Sequence, residues 1–304
     1  MVTTDRIAES GIQPSASYPF APKQFETRGF RLSYLDEGRG DPVVMLHGNP
    51  TWSYYFRRVV QALRSSHRCL VPDHLGCGLS EKPSRDSYPY SLASRIEDIE
   101  AWLDHLGVKS NITLILHDWG GMIGLGYAAR HPERIARIVA TNTGCTRLPK
   151  SKALPWSLWV GRNTSFGAWL ILKHNLFCKL AAKWCAARSP LPTDVKNMYL
   201  KPYDTPANRV AVLRFVQAIP LKPGDPDYDI VESIEAKLPE FSSVPTLLLW
   251  GMKDFVFDEH FLAEWQKHFP HAEVKTWPDA GHYLLEDAPD EAIANIERFL
   301  NRSE

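Results

Sequence analysis

The sequence predicts an α/β fold: a mostly parallel central sheet with helices on both faces and one helical insertion. Three observations predict it. Short β-branched and leucine-rich runs recur at Val43–Leu46, Arg68–Asp73, Ile112–Leu116, Arg137–Asn142 and Val244–Trp250, with helical patterns between them. From about Gly144 to Glu240 that rhythm breaks into a segment rich in proline and carrying Trp156, Trp159, Trp169 and Trp184, and then resumes. Several strand ends carry a side chain able to do chemistry, as expected of a sheet whose ligands bind beyond the carboxyl ends of its strands. These breaks divide the 304 residues into a core (1–143), a helical cap (144–240) and the remainder of the core (241–304).

The elements follow in order. Residues 1–25 are polar and weakly patterned and read as a surface arm. Phe30–Glu37 alternates like an exposed edge strand, and Gly38–Pro42 turns the chain back. Val43–Leu46 is a buried strand running into His47-Gly-Asn-Pro50, a helix follows from Ser53, and Arg68–Asp73 is the next strand. Leu92, Ile96, Ile99, Leu103 and Leu106 mark one face of an amphipathic helix with Ser91 as its N-cap. Ile112–Leu116 then ends abruptly at His117-Asp-Trp-Gly-Gly121, after which Gly124, Gly126, Ala128 and Ala129 give a helix able to approach its sheet closely.

That strand, turn and helix match the nucleophile elbow of α/β-hydrolases, with Asp118 in place of serine. Leu116 stands where the generic elbow has glycine. Asp254, after the Val244–Trp250 strand, and His282, in Pro278-Asp-Ala-Gly-His282, complete the order nucleophile, acid, histidine. Each residue alone fits a turn or a packed core; in order and at strand ends they point to a triad. A carboxylate is ordinarily ionised at neutral pH and attacks without a base. It suits displacement at an sp³ carbon, giving an alkyl ester that water must hydrolyse. His282 is the expected base on that water, oriented by Asp254. The backbone amides of Asn49 and Trp119 are the expected oxyanion donors, and the Asn49 carboxamide and Trp119 indole the donors for a halide or other leaving anion.

Composition excludes other classes. Lys plus Arg and Asp plus Glu are 35 each, so no charge field points to nucleic acid. Five cysteines without metal or disulfide spacing, and an N-terminus without a secretory pattern, lead to the expectation of a cytoplasmic protein with no transmembrane segment, metal or cofactor.

His47-Gly-Asn-Pro-Thr-Trp-Ser53, His117-Asp-Trp-Gly-Gly121, Gly251-Met-Lys-Asp254 and Ala280-Gly-His282 resemble the motifs of haloalkane dehalogenases, from about Phe25 to the C-terminus. The resemblance implies Asp118 as nucleophile, Asn49 and Trp119 as halide ligands and His282 as base. Some members take their acid from after the strand preceding the cap. Here that place holds Thr141-Asn-Thr143, so Asp254 is preferred. Pro202–Val210 and Arg214–Pro220 resemble a subgroup shared by the third dehalogenase subfamily and the β-lactone decarboxylases of olefin biosynthesis. The expectation is therefore carbon–halogen cleavage, with β-lactone decarboxylation as the alternative, on a small apolar haloalkane or alkyl β-lactone. The Trp-rich stretch Pro155–Cys185 covers the pocket or offers a contact for a homo-oligomer or enzyme complex. Epoxide hydrolysis needs a cap tyrosine as acid, for which Tyr199, Tyr203 and Tyr228 are candidates. A non-catalytic receptor or scaffold predicts a broken triad, whereas all three members are present.

Overall fold

A computed structural model describes residues 17–302. Its eight strands are β1 (Lys23–Thr27), β2 (Phe30–Glu37), β3 (Pro42–Leu46), β4 (Arg68–Pro72), β5 (Ile112–Asp118), β6 (Ile135–Thr143), β7 (Thr246–Gly251) and β8 (Glu273–Trp277). They form one sheet in the order β1-β2-β4-β3-β5-β6-β7-β8. The two β2 pairings are antiparallel and the other five parallel. Val43, Val44, Met45 and Leu46 are fully buried, as are Leu247 to Trp250, which is why these runs lack alternation. Each such side chain contributes roughly 1.5–3 kcal/mol by leaving water.

The start of the chain corrects two expectations. Part of the arm over residues 1–25 lies outside the described residues, but its described end is not a surface arm. Tyr18 and Phe20 are buried, Tyr18 packing on Trp52 and Tyr54 with its hydroxyl 2.7 Å from Ser53 Oγ. Lys23–Thr27 forms β1, so β2 lies inside the sheet rather than at its edge. Isolated aromatics in a polar stretch have no period to read; only the tertiary surface they meet makes them core.

Helices cover both faces. α1 (Arg57–Leu63) lies on one face and α2 (Leu92–His105) and α3 (Trp119–Arg130) on the other. Ser91 caps α2 as expected, its hydroxyl accepting the Ser94 amide at 3.1 Å while Ser94 Oγ accepts the Ser91 amide. Between β6 and β7 run α4 (Trp156–Asn163), α5 (Ser165–His174), α6 (Leu176–Trp184), α7 (Thr193–Leu200), α8 (Val210–Gln217) and α9 (Tyr228–Lys237). The last of these packs on α3, where Lys237 Nζ donates to the Ala129 carbonyl at 2.8 Å. After β7 come α10 (Glu259–His268), α11 (Leu284–Asp287) and α12 (Pro289–Leu300). No helix among the described residues is long and apolar enough to cross a membrane.

Candidate active site

Asp118 ends β5 at φ +52°, a left-handed conformation that costs a non-glycine residue energy and lifts its side chain off the strand. The turn is held from three sides. Thr143 Oγ1 donates to the Asp118 carbonyl. A β-carbon on Gly120 would lie 1.9 Å from the Leu46 carbonyl, so only glycine lets α3 start this close to β3. A β-carbon on Gly48 would lie 2.0 Å from Asp118 Oδ1, so the loop after β3 reaches the carboxylate only because position 48 has no side chain.

The sequence-predicted residues converge. Asp118 Oδ1 accepts the Asn49 amide at 2.9 Å and the Trp119 amide at 2.5 Å, and Trp119 is the first residue of α3, where the helix dipole favours an anion. Asp118 Oδ2 faces His282 Nε2 at 3.4 Å. The other ring nitrogen of His282, Nδ1, lies 2.7 Å from Asp254 Oδ2, and Asp254 Oδ1 accepts the Val256 amide at 2.7 Å. Burial alone would lower the His282 pKa; the charges of Asp254 and Asp118 outweigh it and raise the value to about 10. Burial would raise Asp254, yet His282 and the backbone donors hold it below the usual carboxylate value. Oδ1 is thus occupied by two amides, and Oδ2 is the oxygen left without a backbone donor.

The side-chain donors are not equivalent. Asn49 Nδ2 donates to the Val212 carbonyl of α8 at 3.1 Å, while Asn49 Oδ1 is buried with no partner among the described residues. Asn49, Asp118, Trp119 and His282 line the polar end of a cavity of about 700 Å³, whose remaining wall is largely apolar, with Leu158, Ile171, Leu180 and Val216 among its members. Trp156, Trp184 and Phe255 line it and are also exposed, so they mark its mouth. Among the described residues no tyrosine lines it. Tyr199 and Tyr203 donate elsewhere, to Glu286 and the Thr51 carbonyl, and the Tyr228 hydroxyl accepts from Arg147. Among the described residues no cluster of His, Cys, Asp and Glu is arranged to hold a metal.

Three residues at this site escaped sequence reasoning. Asn142, near the end of β6, is fully buried at φ +39° and clamps the β7 turn that leads to Asp254. It donates to the Gly251 carbonyl at 3.0 Å and accepts the Gly251 amide at 2.8 Å. Asp287 accepts the amide of Gly281, beside His282, at 2.7 Å. His117 donates to the His282 carbonyl at 3.0 Å and is kept neutral, its pKa lowered to about 3 by burial and by His282. A strand-end asparagine with its tolerance of positive φ was the one available signal.

Residues 41–289 match the family described as alpha/beta hydrolase fold. The chain is 52% identical over 286 residues to a cis-3-alkyl-4-alkyloxetan-2-one decarboxylase of Shewanella oneidensis, covering 94% of this chain and 90% of that one. It is 43% identical to the protein of the same name from Xanthomonas campestris, covering 94% and 98%. A mutant haloalkane dehalogenase DatA from Agrobacterium tumefaciens superimposes with a TM-score of 0.83 at 27% identity, over 93% of this chain and 97% of that one. The chain belongs to the α/β-hydrolase family, in the group where haloalkane dehalogenases meet the cis-3-alkyl-4-alkyloxetan-2-one decarboxylases.

Proposed function

We propose that this protein opens a cis-3-alkyl-4-alkyloxetan-2-one with Asp118 and releases carbon dioxide and a cis-olefin. The observation that carries the lactone reading over dehalogenation is the 52% identity, spread over 94% of the chain, to a decarboxylase of that substrate class. The site supports it. Asp118 Oδ2 attacks the alkyl-bearing ring carbon bonded to oxygen, and that carbon–oxygen bond breaks with its electron pair going to the ring oxygen. The leaving group is a carboxylate and needs no proton, which suits a cavity with no tyrosine in its lining. Inversion places the new ester bond anti to the carbon–carboxylate bond. That second bond then breaks, its electron pair forms the alkene, and the ester oxygen returns to Asp118 as carboxylate. Anti fragmentation after inversion turns a cis lactone into a cis alkene, and no water is consumed. The His282 imidazolium, backed by Asp254, stabilises the carboxylate charge that Asp118 regains. We assign residues 144–240 the role of a cap that shapes the apolar cavity around the alkyl chains.

Displacement of halide from a haloalkane is the second reading, because the same Asp118 geometry serves it. There His282 must activate water to hydrolyse the ester, and one of the two side-chain halide donors, Asn49 Nδ2, is already engaged by Val212. Turnover in ¹⁸O-water separates the reactions. With a cis-dialkyl β-lactone, olefin forms and peptide mass spectrometry finds no ¹⁸O in Asp118; with a 1-bromoalkane, ester hydrolysis places ¹⁸O there. His282→Ala should trap a bromoalkane adduct on Asp118, since general-base help is worth about 10²–10⁴-fold, and still form olefin. An inert lactone with sustained bromide release overturns the proposal in favour of dehalogenation.

A further inference from the structure

The helices that surround the cavity mouth carry one sign of charge and an unusual load of exposed aromatics. From Arg134 to Thr193, sixty consecutive residues, the sequence has no Asp or Glu and ten Lys or Arg. Trp156, Trp159, Phe166, Trp169, Trp184 and Phe255 are 47–80% exposed, and they are all the large hydrophobic side chains exposed among the described residues. Five of the six sit on α4, α5 and α6. Phe166 and Trp169, one helical turn apart on α5, stack on each other with ring centres 5.9 Å apart. Other cations of the acid-free stretch are neutralised from outside it: Arg147 by Glu232 and Glu235, Lys152 by Asp258, Arg162 by Asp225 and Arg188 by Asp279 and Glu291. Lys173, Lys179 and Lys183 are exposed and form no ion pair among the described residues; Lys183 rests its ammonium 5.2 Å over the Trp184 ring.

We infer that this face docks the protein on an anionic lipid bilayer, with the cavity mouth turned toward the lipid. Tryptophan and phenylalanine side chains with lysines beside them, on short helices and with no acid among them, match what an interfacial surface needs: apolar area to enter the acyl boundary and cations to meet lipid phosphates. Exposed Trp and Phe suit a protein interface as well as a lipid one, and the lysines decide between them, since protein–protein interfaces are depleted in lysine while the unpaired cations here are lysines. The placement argues the same way. Three of the exposed aromatics line the cavity itself, so an alkyl substrate passes from bilayer to Asp118 without crossing water. The inference is independent of which bond Asp118 breaks.

The test is co-sedimentation of the full chain with vesicles of equal parts phosphatidylglycerol and phosphatidylcholine, against vesicles of phosphatidylcholine alone. Binding to the first, weak binding to the second and release at about 0.5 M salt are expected. At about fivefold in partitioning per lysine, Lys173→Glu/Lys179→Glu/Lys183→Glu should bind at least about a hundredfold more weakly. Trp159→Ser/Trp169→Ser should bind more weakly and show a smaller blue shift of tryptophan fluorescence on adding vesicles, the remainder coming from Trp156 and Trp184. Neither Trp159 and Trp169 nor these lysines line the cavity, so turnover of a short, water-dispersed substrate should persist in both variants. Equal binding to both vesicle types, or binding unchanged by charge reversal, overturns the inference. So does a wild-type homo-oligomer that binds no vesicles and that the lysine variant dissociates, which would assign the face to a second copy of the chain.

Discussion

His282 sits between two carboxylates, and that placement decides what the imidazole is able to do at each stage. Beside Asp254 and Asp118 its pKa stands at about 10, although burial works in the opposite direction, so at neutral pH the resting ring is an imidazolium. An imidazolium donates to carboxylates and takes no proton from water. Alkylation of Asp118 Oδ2 removes one of the two negative charges, and the ring's pKa falls. In the dehalogenation reading, His282 becomes a base only after the ester has formed. In the lactone reading, the fragmentation that restores the Asp118 carboxylate restores the ring's charge partner. The resting arrangement makes a prediction about stability. The pKa is raised above the ordinary value of 6.5, so the folded state binds the proton more tightly than the unfolded chain. The resulting stabilisation is complete below about pH 6.5 and is lost as pH rises through about 10. Urea unfolding of the wild type and His282→Gln across this range should show a stability difference that shrinks steadily with rising pH. A constant difference would mean that the resting ring is neutral.

At the scale of elements, the turn that carries His282 is bound to the chain leaving α6. Asp287, at the end of α11, accepts the Gly281 amide at 2.7 Å, the Ala187 amide at 2.8 Å and the Arg188 amide at 2.9 Å, and the Tyr283 amide donates to the Cys185 carbonyl at 2.8 Å. One buried carboxylate therefore fixes both the histidine turn and the helix whose Trp184 stands at the cavity mouth. Asp287→Asn replaces an acceptor oxygen with an NH₂ that faces amide donors. We expect a loss of about 3 kcal/mol in urea unfolding, and a kcat reduced about tenfold with little change in KM as His282 drifts from Asp118. A variant with unchanged kcat would reduce Asp287 to a purely structural anchor. Such contacts explain what was legible in the sequence. The buried parallel strands, Ser91 as cap and the strand-end positions of Asp118, Asp254 and His282 could be read, because each rests on local pattern or on a turn that only certain residues make. The burial of Tyr18 and Phe20, the Asn142 clamp and the Asp287 bonds to Ala187 and Arg188 could not, because each depends on a partner tens of residues or more away. Strand β1 pairs with its neighbour β2 only 3 to 11 positions on, but Lys23-Gln-Phe-Glu-Thr27 holds a single apolar side chain and so no alternation to read. The Asn49 carboxamide was legible as a site group, but its bond to Val212 was not, since nothing local says that α8 returns to that point.

At the scale of the molecule, the helical segment between β6 and β7 is joined to the core by polar groups buried between them as well as by apolar packing. Arg57 on α1 and Glu286 on α11 form a two-pronged ion pair, at 2.5 and 2.9 Å, with side chains only 6% and 7% exposed. Tyr199 of α7 donates its hydroxyl to Glu286, and the Arg57 guanidinium lies 4.0 Å from the centre of the Tyr54 ring. Tyr203 donates to the Thr51 carbonyl at 3.3 Å, close to the loop that carries Asn49. A buried pair contributes modest net stability when intact, but removal of one partner strands the other charge. Arg57→Ala leaves Glu286 with one hydroxyl donor in place of a guanidinium and should cost about 3–5 kcal/mol. Tyr199→Phe removes a single hydrogen bond to a charged group and should cost about 1.5–3 kcal/mol. Both values are measurable from urea midpoints followed by far-ultraviolet circular dichroism and by tryptophan fluorescence. Four of the ten tryptophans report on the segment from Trp156 to Trp184, so the fluorescence signal weights that region. If the buried network couples the segment to the core, the two probes fall together in the wild type and in Tyr199→Phe, at a lower midpoint in the variant. Two separated transitions in the wild type would show that the segment opens while the core stays folded, and the network would then be a passive contact rather than the coupling between them.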